Sequence, residues 1–374
     1  MPFVPLLFGV LGALIGSFAN VVIYRLPRRQ SIVFPGSRCP HCQHRLGVGD
    51  LIPILSWLLL RGRCRYCQGA IAARYPLVEA LMAGGFVLLV LRWPLESYGV
   101  TVLPLLALFA MLVMLALIDI DQQLLPDSLT LPGTALAILA TLLYAPGSGL
   151  PNLSQAVFGA SLGAGVIVLI NRLGGLALRR CGDTKERLSP IGMDQVNLAA
   201  LAGVLGGWLG GLALALAGAL ANAVTGRVLR LPEGPLYGLW LLALALMIGL
   251  GRPLEALSGS LAAAGAVAVL GALYWWLRDF GQPPAPEPAD DEEPIAMGFG
   301  DVKLAALLGA MLGWQNLLLA LFLSFVLGAV GGLLGRALGG GRQIPFGPYL
   351  ALGGLVALFF GSSLIDWYLG LLGL

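Results

Sequence analysis

The stretch Gly298-Phe299-Gly300-Asp301-Val302-Lys303, running on as Leu-Ala-Ala-Leu-Leu-Gly-Ala-Met-Leu-Gly-Trp314, decides how the chain is read. It closes a polar, acidic segment and opens an apolar helix, with an aspartate at the mouth of the run. The flanking glycines let the backbone turn sharply and approach a neighbour closely. Asp301 falls in the first helical turn, where free N–H groups and the helix dipole favour a carboxylate. The plain reading is an N-cap that only starts a helix. The sharper one follows if the helix spans a membrane, because ionisable residues there are costly and functional by default.

The rest of the chain supplies the membrane. Of 374 residues 58% are hydrophobic and only 11% charged, with a mean hydropathy of +0.88. Soluble domains carry roughly 25% charged residues, so this is an all-α polytopic membrane protein. Its 53 glycines suit helices that pack closely in lipid. Apolar runs lie near 3–23, 75–92, 100–118, 128–145, 154–178, 195–208, 210–229, 236–250, 254–277, 302–313, 316–335 and 346–370. That gives about twelve transmembrane helices, several of them short against the roughly 20 residues a span needs. The first run carries its positive charges on the C-terminal side and reads as a retained span rather than a cleaved signal.

Charge placement orients these runs. The segment 24–74 holds nine arginines, and net charge over the chain is +3. With that segment in the cytoplasm, alternation also puts Arg179, Arg180, Lys185, Arg187, Arg227, Arg230, Arg278, Arg336 and Arg342 there. Only Arg92 and Arg252 then fall outside. Asp119, Asp127 and Asp301 come near the cytoplasmic face. The domains read as a first helix over 1–23, a cytoplasmic four-cysteine domain over 24–74 and membrane helices over 75–178. An inserted stretch covers 179–280, a proline-rich acidic linker 281–295, and the last membrane helices 296–374.

The inserted stretch is a repeat. Gly192-Met-Asp-Gln-Val-Asn-Leu-Ala-Ala-Leu-Ala-Gly-Val-Leu-Gly-Gly-Trp208 aligns without gaps on Gly298 to Trp314. Leu231-Pro-Glu-Gly-Pro235 echoes Ile344-Pro-Phe-Gly-Pro348. A unit of about four helices thus occurs twice in the same orientation. In the first copy Gln195 stands at the position of Asp301 and Asn197 at that of Lys303. An amide cannot shuttle a proton, so this copy should be silent and flank the catalytic helices. Asp194, one position away, is turned by about 100° on the helix.

Two constellations carry chemistry. Cys39-Pro-His-Cys42 and Cys64-Arg-Tyr-Cys67 form two C-x-x-C knuckles, the pattern of a tetrahedral thiolate site for structural zinc, as in a zinc ribbon. The competing reading, two disulfides, conflicts with a reducing cytoplasm. His41 and His44 read as bystanders, and Cys181 has no evident role. A basic ribbon can bind nucleic acid, but one pinned between two spans argues for no nucleic-acid partner. The second constellation is Asp119, Asp121 and Asp127 around Leu117-Ile118-Asp119-Ile120-Asp121 and Leu125-Pro126-Asp127. Asp127 also fits a helix cap and Asp121 an interfacial residue. Two carboxylates at one membrane depth on different helices suggest an aspartyl mechanism, one a general base for water, the other a general acid.

The chain resembles the type IV prepilin peptidases, which are bifunctional leader peptidase/N-methyltransferases. The likeness is carried by Gly16-Ser-Phe-Ala-Asn20 through Arg25-Leu-Pro27, the two C-x-x-C pairs, Ile52-Pro-Ile-Leu-Ser56-Trp57 and Arg74-Tyr-Pro-Leu-Val-Glu79. It continues through Ile118-Asp119, Leu125-Pro-Asp127-Ser-Leu-Thr, Gly298-Phe-Gly-Asp301-Val-Lys303 and Pro345-Phe-Gly-Pro348. The resemblance implies a G-x-G-D membrane aspartyl protease of the bacterial inner membrane, with Asp119 and Asp301 as its catalytic pair. Gly298, Gly300, Lys303 and Asp127 would support that site. The substrates would be prepilins or pseudopilins, cut after a glycine at the cytoplasmic face and then methylated from S-adenosylmethionine, whose site is not legible. The sequence departs from the family at Gly49-Asp50, where Glu-Asn is usual, and in the 179–295 insertion. Family members usually have about eight spans. The alternative from another class is a twelve-span transporter or scaffold built on the tandem repeat.

Overall fold

A run of 17 apolar or small residues without a charge, such as Val102–Ile118 in the helix Val102–Gln122, can satisfy its backbone in lipid only as a helix. The same logic fills the chain. A computed structural model describes residues 3–177, 191–226, 232–280, 298–337 and 345–373. Among these there is no β-strand, only helices, turns and two isolated bridges. The helices are α1 (Phe3–Arg25), α2 (Leu55–Leu59), α3 (Arg74–Arg92), α4 (Leu95–Tyr98), α5 (Val102–Gln122) and α6 (Asp127–Ala140). They continue as α7 (Leu153–Ala177), α8 (Met193–Thr225), α9 (Glu233–Gly249), α10 (Pro253–Arg278), α11 (Phe299–Ala337) and α12 (Gly347–Leu372).

Eight helices among the described residues are long and apolar enough to cross a membrane, and α6 and α9 are shorter apolar helices. The expected count of about twelve is therefore not what helix length alone returns. The difference of four is made up by α6 and α9, which are too short to count by length, and by α8 and α11, each of which the sequence reads as two runs. A straight helix of 33 residues would be about 50 Å long. Instead α8 breaks at Gly207 (φ 66°, ψ 178°) and α11 at Gly313 (φ 72°, ψ 169°), backbone that only glycine adopts cheaply. Gly211 then lies against the Ala199 carbonyl and the Gly203 nitrogen. Residues twelve apart would be about 18 Å apart on a continuous helix, so α8 turns back on itself. Gly163 of α7 likewise meets both Ala305 and Leu317 of α11. The expected breaks within 208–210 and 313–316 thus fall at two glycines in the same register of the repeat. The expected acidic linker 281–295, the Leu231 echo and Cys181 lie outside the described residues.

The chain divides into two compact units. The first comprises residues 1–129, 139–150 and 326–352. In it α1 meets α3 where Gly12 abuts the Met82 carbonyl and Gly16 abuts the Glu79 backbone. The Asn20 side-chain amide donates to the Tyr75 carbonyl at 3.2 Å. At the other end of α3, the buried Trp93 indole donates to the Ser148 carbonyl at 2.9 Å.

The second unit comprises 130–138, 151–325 and 353–374. Here α7 packs on the α11 hairpin through Gly159 and Gly309, while α10 packs on the α8 hairpin through Gly259 and Gly203. The two helix-plus-hairpin sets meet reciprocally. Gly165 of α7 faces the Leu261 carbonyl, and Gly265 of α10 faces the Ser161 carbonyl. The pairs 165/261 and 265/161 exchange under a shift of one hundred residues, which is the mark of a two-fold relation within one chain. The α10 and α8 set thus repeats, in its glycine contacts, the α7 and α11 set that carries Asp301.

Candidate active site

Asp119 closes the apolar run of α5 and is only 6% exposed. Its carbonyl accepts from Gln123, whose left-handed backbone ends the helix. Its carboxylate Oδ2 accepts the Gly347 N–H at 2.9 Å. Gly347 is the first residue of α12, so the acid sits at a helix N-terminus, where the dipole and a spare donor stabilise negative charge. Pro348 follows with no N–H of its own, which leaves the glycine amide as the available donor.

Two residues on, Asp121 takes a bidentate ion pair from Arg74 at 2.8 and 2.6 Å. This pair fastens the end of α5 to the start of α3. Asp127 opens α6 and is half-buried, in keeping with the helix-start reading.

Asp301 sits in the first turn of α11, 9% exposed, its N–H donating to the Gly298 carbonyl at 3.1 Å. Lys303 is buried, its ammonium 5.6 Å from the centre of the Phe299 ring. In the inserted copy Gln195 is 1% exposed. Its Oε1 accepts the Gly192 N–H at 2.9 Å, so the amide caps its own helix. Asp194 stands half-exposed beside it. Asp119 belongs to the first unit and Asp301 to the second.

The four cysteines form the other cluster. Their sulfurs all lie within 4.8 Å of one another, Cys39 and Cys67 at 3.8 Å. Four thiolates about 2.3 Å from one ion in a tetrahedron stand about 3.8 Å apart, so the residues fit zinc. All four are free thiols, with no disulfide among them. The two knuckles are built alike. Gln43 and Gln68 take positive φ, their N–H groups donate to the Cys39 and Cys64 carbonyls, and a bridge closes each turn. A backbone hydrogen bond from Cys42 helps bring the Cys39 thiol down to about 7, favouring the thiolate a metal needs. His41 bonds the Ala70 carbonyl and His44 lies 3.7 Å from the Tyr66 ring, so neither belongs to the cluster. Asp50 accepts from Arg65 at 2.8 Å and from Tyr66 at 3.3 Å, bracing the second knuckle.

Sequence reasoning missed the Gly347 amide on Asp119, and missed Glu79. That acid is buried and accepts the Ile54 N–H at 2.7 Å. Both belong to blocks that carried the resemblance, but only the fold shows which atoms those blocks bring together.

These features define a class: a polytopic helical membrane protein with buried carboxylates at helix ends and a basic four-cysteine domain between its first two spans. Comparison with known proteins gives the family. The family description Bacterial Peptidase A24 N-terminal domain matches residues 10–93. Type IV leader peptidase family matches twice, at 106–227 and 230–333, and the chain belongs to that family. The aligned stretches Gly192–Trp208 and Gly298–Trp314 fall one in each match. A Prepilin leader peptidase/N-methyltransferase of Aeromonas salmonicida (strain A449) is 32% identical over 384 aligned positions, 95% of this chain and 90% of the relative. One of Pseudomonas putida is 31% identical, covering 97% and 93%. One of Myxococcus xanthus is 46% identical over 154 positions, covering 41% and 44%. No solved structure matches.

Proposed function

We propose that this chain cleaves the leader from prepilins or pseudopilins and then N-methylates the new terminus. The family and the names of relatives covering nine-tenths of their own length support both activities. They do not favour the transporter alternative. The observation that carries the peptidase reading is the buried Asp119 carboxylate held by a helix N-terminal amide, in a chain of this family.

In this reading Asp119 and Asp301 are the catalytic pair. One, ionised, takes a proton from water as the water oxygen bonds to the scissile carbonyl carbon. The other, protonated, donates to the carbonyl oxygen. Collapse of the tetrahedral adduct breaks the C–N bond, and the leaving nitrogen takes up a proton. The Gly347 amide orients Asp119, while the Gly298 carbonyl accepts the Asp301 N–H at the start of the helix that carries that acid, and Gly300 lies in its first turn. Lys303, buried near the Phe299 ring, would support the same end of the helix.

The chemistry of the second activity is a methyl group offered by the sulfonium of S-adenosylmethionine to the new amine. With no strand among the described residues, helices and loops would hold that donor, not a strand-borne glycine fingerprint. Cys39, Cys42, Cys64 and Cys67 would hold one structural zinc. The chain would cross the bacterial inner membrane about twelve times, the shorter α6 and α9 counting once each and the α8 and α11 hairpins twice. The cysteine domain and both acids would face the cytoplasm, and no nucleic acid is a partner. Purified protein incubated with a prepilin peptide and labelled methyl donor tests this. A shortened, methylated product supports the reading, and an unchanged peptide overturns it.

A further inference from the structure

The segment between the two knuckles exposes more apolar surface than its domain explains. Val48 (87% exposed), Leu51, Ile52, Leu55, Leu58 and Leu59 (81%) are all open, three of them on the five-residue helix α2. Six large apolar side chains within twelve residues are a patch of the kind that marks an interaction surface. What covers them follows from where α2 is tied.

Three contacts hold it beside the start of α3. The Ile54 N–H donates to the Glu79 carboxylate at 2.7 Å. The Trp57 indole donates to the Ile71 carbonyl at 3.0 Å, three residues before α3 begins. Ile71 in turn donates to the Gly62 carbonyl at 2.7 Å. Glu79 lies about 7.5 Å along α3 from Arg74, and helical side chains lean back toward the N-terminus. The Ile54 amide therefore sits level with the first turns of α3.

That level is already the membrane. Gly16 and Asn20 of α1 meet Glu79 and Tyr75 there, well inside the apolar helix Phe3–Arg25. On α3 itself Leu77 and Leu81 are exposed at the same height, as lipid-facing residues of a span. The approach is enforced at a cost. Ile54 is β-branched yet takes φ +62°, a strained conformation that persists only where the surroundings fix it.

Charge supports the same occupant. Between Arg25 and Arg74 stand nine arginines and a single acid, Asp50. Asp50 is spent on Arg65. Arg61 and Arg63, which follow α2, are exposed and make no ion pair among the described residues. Leucines on one side and unpaired arginines beside them are the make-up of an interfacial element on an anionic leaflet.

We propose that Val48–Leu60 is an interfacial anchor. Its leucines lie at the boundary of headgroups and acyl chains, and Arg61 and Arg63 hold anionic phospholipid headgroups. The four-cysteine domain is thereby laid flat on the bilayer rather than projecting from it. The anchor is an interaction surface for lipid and is independent of which acids cleave the leader.

The test uses the full chain in vesicles of phosphatidylethanolamine and phosphatidylglycerol. A photoreactive benzophenone side chain replaces Leu59 in one preparation and Gln68, on the second knuckle, in another. Mass spectrometry then reads the adducts. The proposal expects lipid adducts at position 59 at least about fivefold above those at 68, with phosphatidylglycerol enriched over its share of the vesicle. Equal lipid yields at both positions, or crosslinks from 59 to other parts of the chain, overturn the anchor. Adducts without phosphatidylglycerol enrichment overturn the headgroup role of the arginines. Equal metal content in both preparations shows that the domain is folded.

Discussion

Replacing Gly347 with alanine isolates the positioning of Asp119 from its chemistry. A Cβ built on Gly347 would stand 2.7 Å from the Asp119 Oδ2 and 3.1 Å from its Cγ. Carbon and oxygen rest no closer than about 3.3 Å, so the carboxylate must retreat by about 0.6 Å or more. The hydrogen bond from the Gly347 amide, now 2.9 Å, then stretches to about 3.5 Å, the edge of a real bond. The obstructing atom is the free end of a side chain, so the fold gives way cheaply. Loss of a hydrogen bond to a charged group costs about 1.5–3 kcal/mol at the site, and a shift of about 1 Å in a reacting group costs about 100-fold in rate. Gly347→Ala should therefore lower leader cleavage about 100-fold while the thermal midpoint moves only a few degrees. Cleavage of a prepilin peptide in reconstituted vesicles, followed by mass spectrometry beside a thermal melt, measures both. Turnover within threefold of the unsubstituted protein would refute the positioning argument.

The remaining predictions concern the other parts. Cys64→Ser should empty the four-cysteine site, read as zinc per chain by elemental analysis, and make the 39–67 segment protease-sensitive. A full zinc complement in that variant contradicts the ligand set. The hydrogen bond from Arg65 holds the Asp50 carboxyl below its usual value, so its contribution is complete above about pH 4 and fades as pH falls through the lowered folded value. Amide protection factors over 47–66, with the intrinsic pH dependence of exchange divided out, should be flat from pH 8 to 5 and fall only below pH 4, and Asp50→Asn should show the weakened state at neutral pH. In the inserted copy, Gln195→Ala and Asp194→Asn should leave leader cleavage within about twofold of normal. Loss of cleavage in Asp194→Asn would mean that the wrong copy has been taken as active.

Much of this architecture is legible in the sequence, because lipid admits few solutions. Apolar runs read as helices, and most of the helix ends lie within a few residues of the expected ones. The breaks at Gly207 and Gly313 were visible as gaps between runs, though their cause, glycine-only backbone, was not. The cysteine cluster follows from spacing alone, since four thiols in two knuckles have few other uses. The relation of α7 to α10 was not legible. It rests on small residues such as Gly165 and Gly265, which any membrane helix supplies in number. Nor could Glu79 or the Gly347 amide be read as partners. A hydrogen bond between residues 228 positions apart leaves no periodicity behind it.

The central claim is that Asp119 and Asp301 are the acids that cut the leader. Its most direct test is the rate of prepilin peptide cleavage by Asp119→Asn and Asp301→Asn, each purified and reconstituted at equal amount and shown to be folded. An amide keeps the shape of the side chain but cannot carry the proton. Both rates should fall by at least about three orders of magnitude. Near-normal cleavage by either variant would contradict the assignment.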